Sequence, residues 1–496
     1  MEYNLSPPNT LQEIVLIAMA INLWTKSPVK DEVLELFKSR SRNICDDGWE
    51  EVEKILRKKI VLPNPLSLPG SLAEELSGIS TQIVLEILAW AKYYSKYYCE
   101  LDFFNNICWT PQGTVDAEKT ARKLVSDQSV HIVNRYRVAC INCFEDVIPD
   151  LWKQSSKTEK HLNGIKKFKI HDDLVILWSY HLYNRSSEIT GRDPINEFGF
   201  KIAVDLGNSV AVRYFWPKLT PEERERNLEK CIKIAAKESF TGVIGNFKFP
   251  HSCYTNIVCF LLNQMSEKQQ KNIFSDVGEY ILCGLLNFPY QKLFIPISEE
   301  IWHYLQEKKE YDRLLYYITD KISNYPQLYT ELLQYVWQKI PDKDKVINTW
   351  EAGIALSKLF RIEDHESIRF ILSSVSVKAK EEFILDEGLD VCCSLVSEGK
   401  WNILKKFMKC CLQNKDVAFA FEAKAKKRIS WYTASEKLQE NAPQFYKLID
   451  DHIASLTNQG EKRKIEDEDN DISAKKIRTD LEVKKMHPIT TLGKVC

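Results

Sequence analysis

Apolar residues recur along this chain in short stripes at separations of three and four, and each stripe ends in a residue type that starts a new helix. The stretch Ala211 to Glu223 states the unit most fully. Ala211-Val212, Phe215-Trp216 and Leu219 fall on one face of a helix. Thr220, Pro221 and Glu223 then open the next one, with Thr as N-cap, Pro at the first helical position and Glu three residues after the cap. With the last apolar residue before each break taken as an anchor, clear copies end at Ile148, Leu219, Met265, Ile340 and Val375. Cys411 ends a weaker copy, and Leu182 and Leu305 fit with a degraded break. Successive anchors are 34, 37, 46, 40, 35, 35 and 36 residues apart. After Met265 comes Ser266-Glu267-Lys268-Gln269, after Ile340 Pro341-Asp342, and after Val375 Ser376, so the capping chemistry returns with the stripe. One such helix pair cannot bury both of its faces, and a period in the middle thirties predicts neighbours that stack. The expected fold is therefore all-α: an α-solenoid of antiparallel helical hairpins with a period of about 35–40 residues.

Outside the repeats, Thr10 and Glu13 form a capping box for a helix over 11 to 24, and further helices are expected at about 30–40 and 48–59. Three prolines and a glycine exclude helix over 61–70. Ser71 and Glu74 then cap a short helix, followed by a long one at about 79–98 carrying Trp90, Tyr93, Tyr94, Tyr97 and Tyr98. Those aromatics read as core, with base stacking the competing use. Pro111-Gln112-Gly113 is a turn, and Thr114 caps a helix over 115–127. A last helix is expected over 433–456. The organisation is thus a helical N-terminal region or cap (1–110), a helical-repeat array (111–456) and a disordered charged tail (457–496).

Two copies carry a family resemblance. Ala203-x-x-x-Gly207-Asn208 followed by Val212-Arg213, and Gly399-Lys400 followed by Leu404-Lys405-Lys406-Phe407-Met408, resemble the helix–turn–helix stretch of an ankyrin repeat, each glycine twelve residues before its anchor. His365 to Leu372 is similar to the second ankyrin helix. The Thr-Pro-Leu-His opening of that family is missing: Phe198 and Asp390 stand where its Thr would be. The resemblance, over about residues 115–415, implies an ankyrin-like helical array and a protein-binding role, and carries over no individual binding residue.

Composition changes little in this picture. Lys and Arg (68) nearly cancel Asp and Glu (69), so no global field draws the chain to nucleic acid or membrane, and the 17 glycines suit short turns between packed helices. The fourteen cysteines lie singly or as adjacent pairs, many of them at apolar helical positions, as free thiols do in a reducing, intracellular compartment. The acidic start Met-Glu-Tyr-Asn is unlike a secretory leader, and the apolar run Ile14 to Trp24 is too short to span a bilayer, so no membrane partner is expected.

Local charge is more informative. The Lys-rich segment 153–170 reads as an exposed loop. Residues 400–430 hold nine cations, among them Lys405, Lys406, Lys409, Lys424, Lys426, Lys427 and Arg428, against Asp416 and Glu422. With Trp401 and Trp431 beside them, they form a patch for an acidic partner or a nucleic acid. In the tail, Lys462-Arg463-Lys464 and Lys475-Lys476-Ile477-Arg478 flank an acidic spacer, the two-cluster pattern of a bipartite nuclear import signal read by an import receptor.

Candidate chemistry is sparse. Cys140-x-x-Cys143 has metal-like or redox-like spacing but no second ligand pair, only His131 and Cys108 nearby in sequence, and no preceding strand. No HExxH, GxSxG, P-loop or GxGxxG occurs. The pairs Glu222-Glu223, Glu299-Glu300 and Glu381-Glu382 read as first-turn residues complementing helix dipoles. The sequence thus predicts no catalytic residue, no metal and no cofactor. Its leading reading is a non-catalytic protein-interaction scaffold, nuclear or else cytoplasmic. The alternatives are a nucleic-acid-associated protein using 400–430, and an enzyme on a helical scaffold without a recognisable motif.

Overall fold

The computed structural model describes residues 10–25, 69–95, 106–156, 173–191, 193–240, 250–305, 307–322, 326–341, 356, 359–360, 364–431 and 435–457. The fold is all-α; among the described residues the sole β feature is an isolated bridge between Trp109 and Val115. The helices expected at 30–40 and 48–59, residues 61–68, Tyr97, Tyr98, most of the Lys-rich segment, and the tail with Lys462, Arg463, Lys464, Lys475, Lys476 and Arg478 lie outside the described residues.

The chain divides into two units, Met1–Leu332 and Leu333–Cys496. In the first, α1 (Leu11–Thr25) pairs with α2 (Gly70–Ser95). Then come α3 (Ala117–Ser126), α4 (Ile132–Ile141), α5 (Ile148–Gln154), α6 (Asp173–Leu182), α7 (Ser187–Thr190), α8 (Ile195–Leu206) and α9 (Ser209–Phe215). They are followed by α10 (Pro221–Phe240), α11 (His251–Leu262), α12 (Glu267–Leu285), α13 (Gln291–Ile301) and α14 (Lys308–Ile322). Alternate helices pack in a row, α4 on α6, α6 on α8, α8 on α10, α10 on α12 and α12 on α14, while α9 packs on α11. The N-terminal hairpin departs from this order. Glu13 on α1 pairs with Lys292 on α13, and Glu86 on α2 meets Ser252 on α11, so residues far apart in sequence close against one another.

The division between units falls within α15 (Pro326–Lys339). The second unit continues with α16 (His365–Ser374), α17 (Val377–Ile384), α18 (Glu387–Ser397), α19 (Trp401–Cys411), α20 (Lys415–Trp431) and α21 (436–457). Here α17, α18 and α19 pack mutually, and α20 lies on α18.

The start signals act as their chemistry requires. Thr10 and Glu13, Thr220 and Glu223, and Ser266 and Gln269 exchange reciprocal backbone bonds as capping boxes, and the Ser376 side chain accepts from the Ala379 N–H. The anchors Leu219 and Leu305 follow the short 3-10 turns Trp216–Lys218 and Trp302–Tyr304, Met265 lies in the turn three residues past α11, and Leu182, Ile340, Val375 and Cys411 fall at or next to helix ends. Ile148 does not: α4 has already ended at Ile141, and Ile148 begins α5, because Pro149 starts a helix more readily than it ends one.

Other expectations are corrected. Residues 70–95 form one helix rather than a short capped one and a second: burial of Leu76, Ile79, Ile83 and Ile87 carries it through Gly78. The α3 cap is Asp116, which accepts from the Lys119 N–H, while Thr114 bonds the Thr110 hydroxyl across the turn. Glu222 and Glu223 occupy a first turn, but Glu299 and Glu300 lie in the last turn of α13 and Glu381 and Glu382 in the second half of α17, so dipole complementarity explains only the first pair.

Four helix ends share one backbone solution. After α4, α6, α8 and α18, the residues Cys143, Asn184, Gly207 and Gly399 take φ of +55°, +56°, +77° and +70°. Each donates its N–H three residues back and the next residue donates five back: Gly207 to Val204 and Asn208 to Ala203, Gly399 to Val396 and Lys400 to Leu395. This is the Schellman turn, which satisfies carbonyls the helix leaves open. It also accounts for Cys140-x-x-Cys143. The first cysteine supplies an acceptor carbonyl at the helix end and the second occupies the left-handed position. Both thiols are free and buried, and burial pushes Cys143 up to about 12 and Cys140 well above its ordinary value. Such thiols are poor nucleophiles and poor metal ligands. His131 caps α4 through Nδ1, and no cluster suited to a metal ion exists among the described residues.

Candidate functional site

The basic region resolves into two helix faces of the second unit. Ile403, Leu404, Phe407, Met408 and Cys411 bury one side of α19, and that spacing leaves Lys405, Lys406 and Lys409 exposed on the other. On α20, Ala418, Phe421, Ala425 and Ile429 face inward. Lys424 donates to the Leu385 carbonyl at 3.0 Å, Lys426 pairs with Glu422, and Arg428 pairs with Asp390 at 3.2 Å. These three cations therefore arrive partly spent. The rest of the α20 surface carries Lys415, Phe419, Ala423, Lys427 and Trp431 at i, i+4 steps, all exposed. Phe419 and Trp431 are 47% and 64% exposed, with the Lys415 ammonium 5.8 Å from the first ring and the Lys427 ammonium 5.3 Å from the second. The sequence sets Trp401 and Trp431 beside the basic region; the structure half-buries Trp401 and exposes Phe419 along with Trp431.

The aromatic run on α2 goes the other way. Trp90, Tyr93 and Tyr94 are buried and pack ring against ring, so none is open to a base.

The first unit holds a cavity of about 500 Å³ that sequence reading missed. Its walls come from α2, the turn before α3, and the N-terminal turns of α3, α9 and α11. Glu86 sits in it, 8% exposed. Its Oε1 accepts from Trp90 Nε1 at 2.9 Å and from the Val115 N–H at 3.2 Å, while Oε2 has a longer bond from Ser252 Oγ at 3.4 Å. Burial pushes this carboxyl above its ordinary range against the pull of those donors. Two ion pairs on the cavity wall are closed on themselves, Asp116 with Lys119 and Glu118 with Arg122, which also reaches Asp146. Arg213 on α9 is different: its guanidinium donates to Asn256 Oδ1 at 2.7 Å, and among the described residues no carboxylate pairs with it. Ser252 and Asn256 lie four residues apart on α11, so the partners of Glu86 and Arg213 are separated by one helical turn, about 6 Å. Glu86 and Arg213 thus line one space, and among the described residues neither forms an ion pair.

Compared with known proteins, the chain matches no family model and no curated protein. Among the described residues no helix is long and apolar enough to cross a membrane.

Proposed function

We propose that the chain is a non-catalytic, ankyrin-like helical-repeat scaffold that binds other proteins, works in the nucleus, and enters it through the two basic clusters of its tail. The observation that carries this reading is the row α4–α6–α8–α10–α12–α14, in which successive members pack on one another, as stacked antiparallel hairpins would. The packing of α1 and α2 against α11 and α13 adds a lateral brace to that array.

The α20 stripe favours a second use of the same scaffold, contact with nucleic acid. Exposed aromatic rings alternating with lysines provide stacking faces and phosphate neutralisation together.

Three measurements test these readings. Proximity labelling in living cells should give a reproducible set of neighbours that is lost when Lys405, Lys406 and Lys409 are replaced by Glu; an unchanged set refutes protein binding through α19. Residues 458–482 fused to a cytosolic reporter should carry it into the nucleus, and a reporter that stays in the cytoplasm removes the import reading. A generic single-stranded oligonucleotide titrated at low salt distinguishes the second use. Binding with a steep salt slope, lost in Phe419→Ala/Trp431→Ala, supports it, and no binding eliminates it.

A further inference from the structure

From Glu86 and Arg213, which line one cavity and form no ion pair among the described residues, we infer that the first unit binds a free α-amino acid, its ammonium on Glu86 and its carboxylate on Arg213. A buried carboxylate without a cation is costly, and a fold that needed only the Trp90 and Val115 bonds would be served as well by a neutral acceptor. Oε1 is taken up by those two donors, whereas Oε2 has one long bond and spare acceptor capacity beside the cavity. An ammonium bound there would supply the missing charge with a short, charge-assisted bond.

The second anchor fixes polarity. Arg213 is held by Asn256 through one nitrogen, which aims the fork and leaves donors for a carboxylate. The residues that hold them, Ser252 and Asn256, lie one turn apart on the same face of α11, about 6 Å along its axis. Anchors held from neighbouring turns of one helix call for a short ligand whose ammonium and carboxylate lie close together, as in an α-amino acid. Trp90, Val210 and Tyr290 offer apolar wall for a side chain, and about 500 Å³ holds such a molecule with room for water. Lys119 and Arg122 do not compete as anchors, since Asp116, Glu118 and Asp146 already answer them. No covalent step is involved; this is a binding site, and it extends the scaffold reading to one that responds to a metabolite.

The test uses the full chain and the twenty standard amino acids singly, up to roughly 10 mM, read by thermal shift and isothermal calorimetry. At least one amino acid is expected to bind. Its C-terminal amide, lacking the anion, and its N-acetyl form, lacking the cation, should each bind roughly tenfold to hundredfold more weakly. Glu86→Gln keeps the acceptor for Trp90 and Val115 and should lose a similar factor for the zwitterion. Arg213→Gln, an exposed change that leaves the core alone, should lose affinity for the zwitterion but not for the amide. No binding by any amino acid overturns the inference, as does an amide or N-acetyl form that binds as tightly as the free amino acid, or unchanged affinity in folded Arg213→Gln. None of these outcomes bears on the proximity or import experiments, so the site and the scaffold reading stand or fall separately.

Discussion

Replacing Gly207 by Ala offers the sharpest measurement of how the helix–turn–helix units are held. Gly207 lies at φ +77° in the Schellman turn after α8, and a Cβ built there would sit 2.4 Å from the Tyr254 ring. That ring cannot swing away freely. It is 1% exposed and its hydroxyl donates to the Asp205 carbonyl at 2.8 Å. Two costs therefore add: about 1–2 kcal/mol for an L-residue in the left-handed region, and about 1–3 kcal/mol for overpacking a rigid neighbour. The total is about 2–5 kcal/mol. Gly399→Ala is the control, because its turn is the same, at φ +70°, but nothing lies within 4 Å of the added Cβ. It should lose only the backbone part. Since the two glycines belong to different units, native-state hydrogen exchange is the suitable assay, comparing protected amides of α8 and α9 with those of α18 and α19. If Gly207→Ala costs no more than Gly399→Ala, the close approach of Tyr254 is not what makes glycine necessary, and the packing argument fails.

Three further outcomes are expected. Arg226, together with Asn227 and Lys201, holds the buried Glu197 carboxyl at about 2 instead of its usual 4.5. A depressed carboxylate gives stability that is full above the unfolded value and is lost as pH falls from about 5 toward 2; the complete linkage is about 3 kcal/mol, reduced to about 1–2 by solvent around the half-exposed Arg226. Glu197→Gln should flatten the denaturation midpoint over that window, and a mutant with the wild-type pH profile contradicts the pairing. Asn184 is exposed at φ +56°, so Asn184→Gly should raise stability by a few tenths to about 1 kcal/mol in urea titration, and Asn184→Val should lower it. Brief alkylation of the native chain near neutral pH should label exposed Cys410 before buried Cys140 and Cys143; early labelling of the latter pair, read by mass spectrometry, would contradict their burial.

What the sequence determined by itself is local. Stripes at helical spacing specify which side of α9, α11, α15, α16 and α19 is buried, since period fixes face. Short-range capping at Thr10, Thr220, Ser266 and Ser376 specifies where helices start, since donor and acceptor lie within one turn. Local rules failed where packing overrode them. Gly78 did not break α2, because apolar burial on both sides outweighs its propensity. Cys143 and Asn184 take a left-handed position that glycine would have announced, so two of the four shared turns carry no plain mark in the residue types. The cavity was beyond reach altogether. Glu86 is an ordinary helical glutamate until Ser252, 166 residues later, is laid beside it, and Arg213 is an ordinary surface cation until α11 holds it over the same space. The burial of Glu86 and the shared space belong to that arrangement, and only tertiary contacts create them.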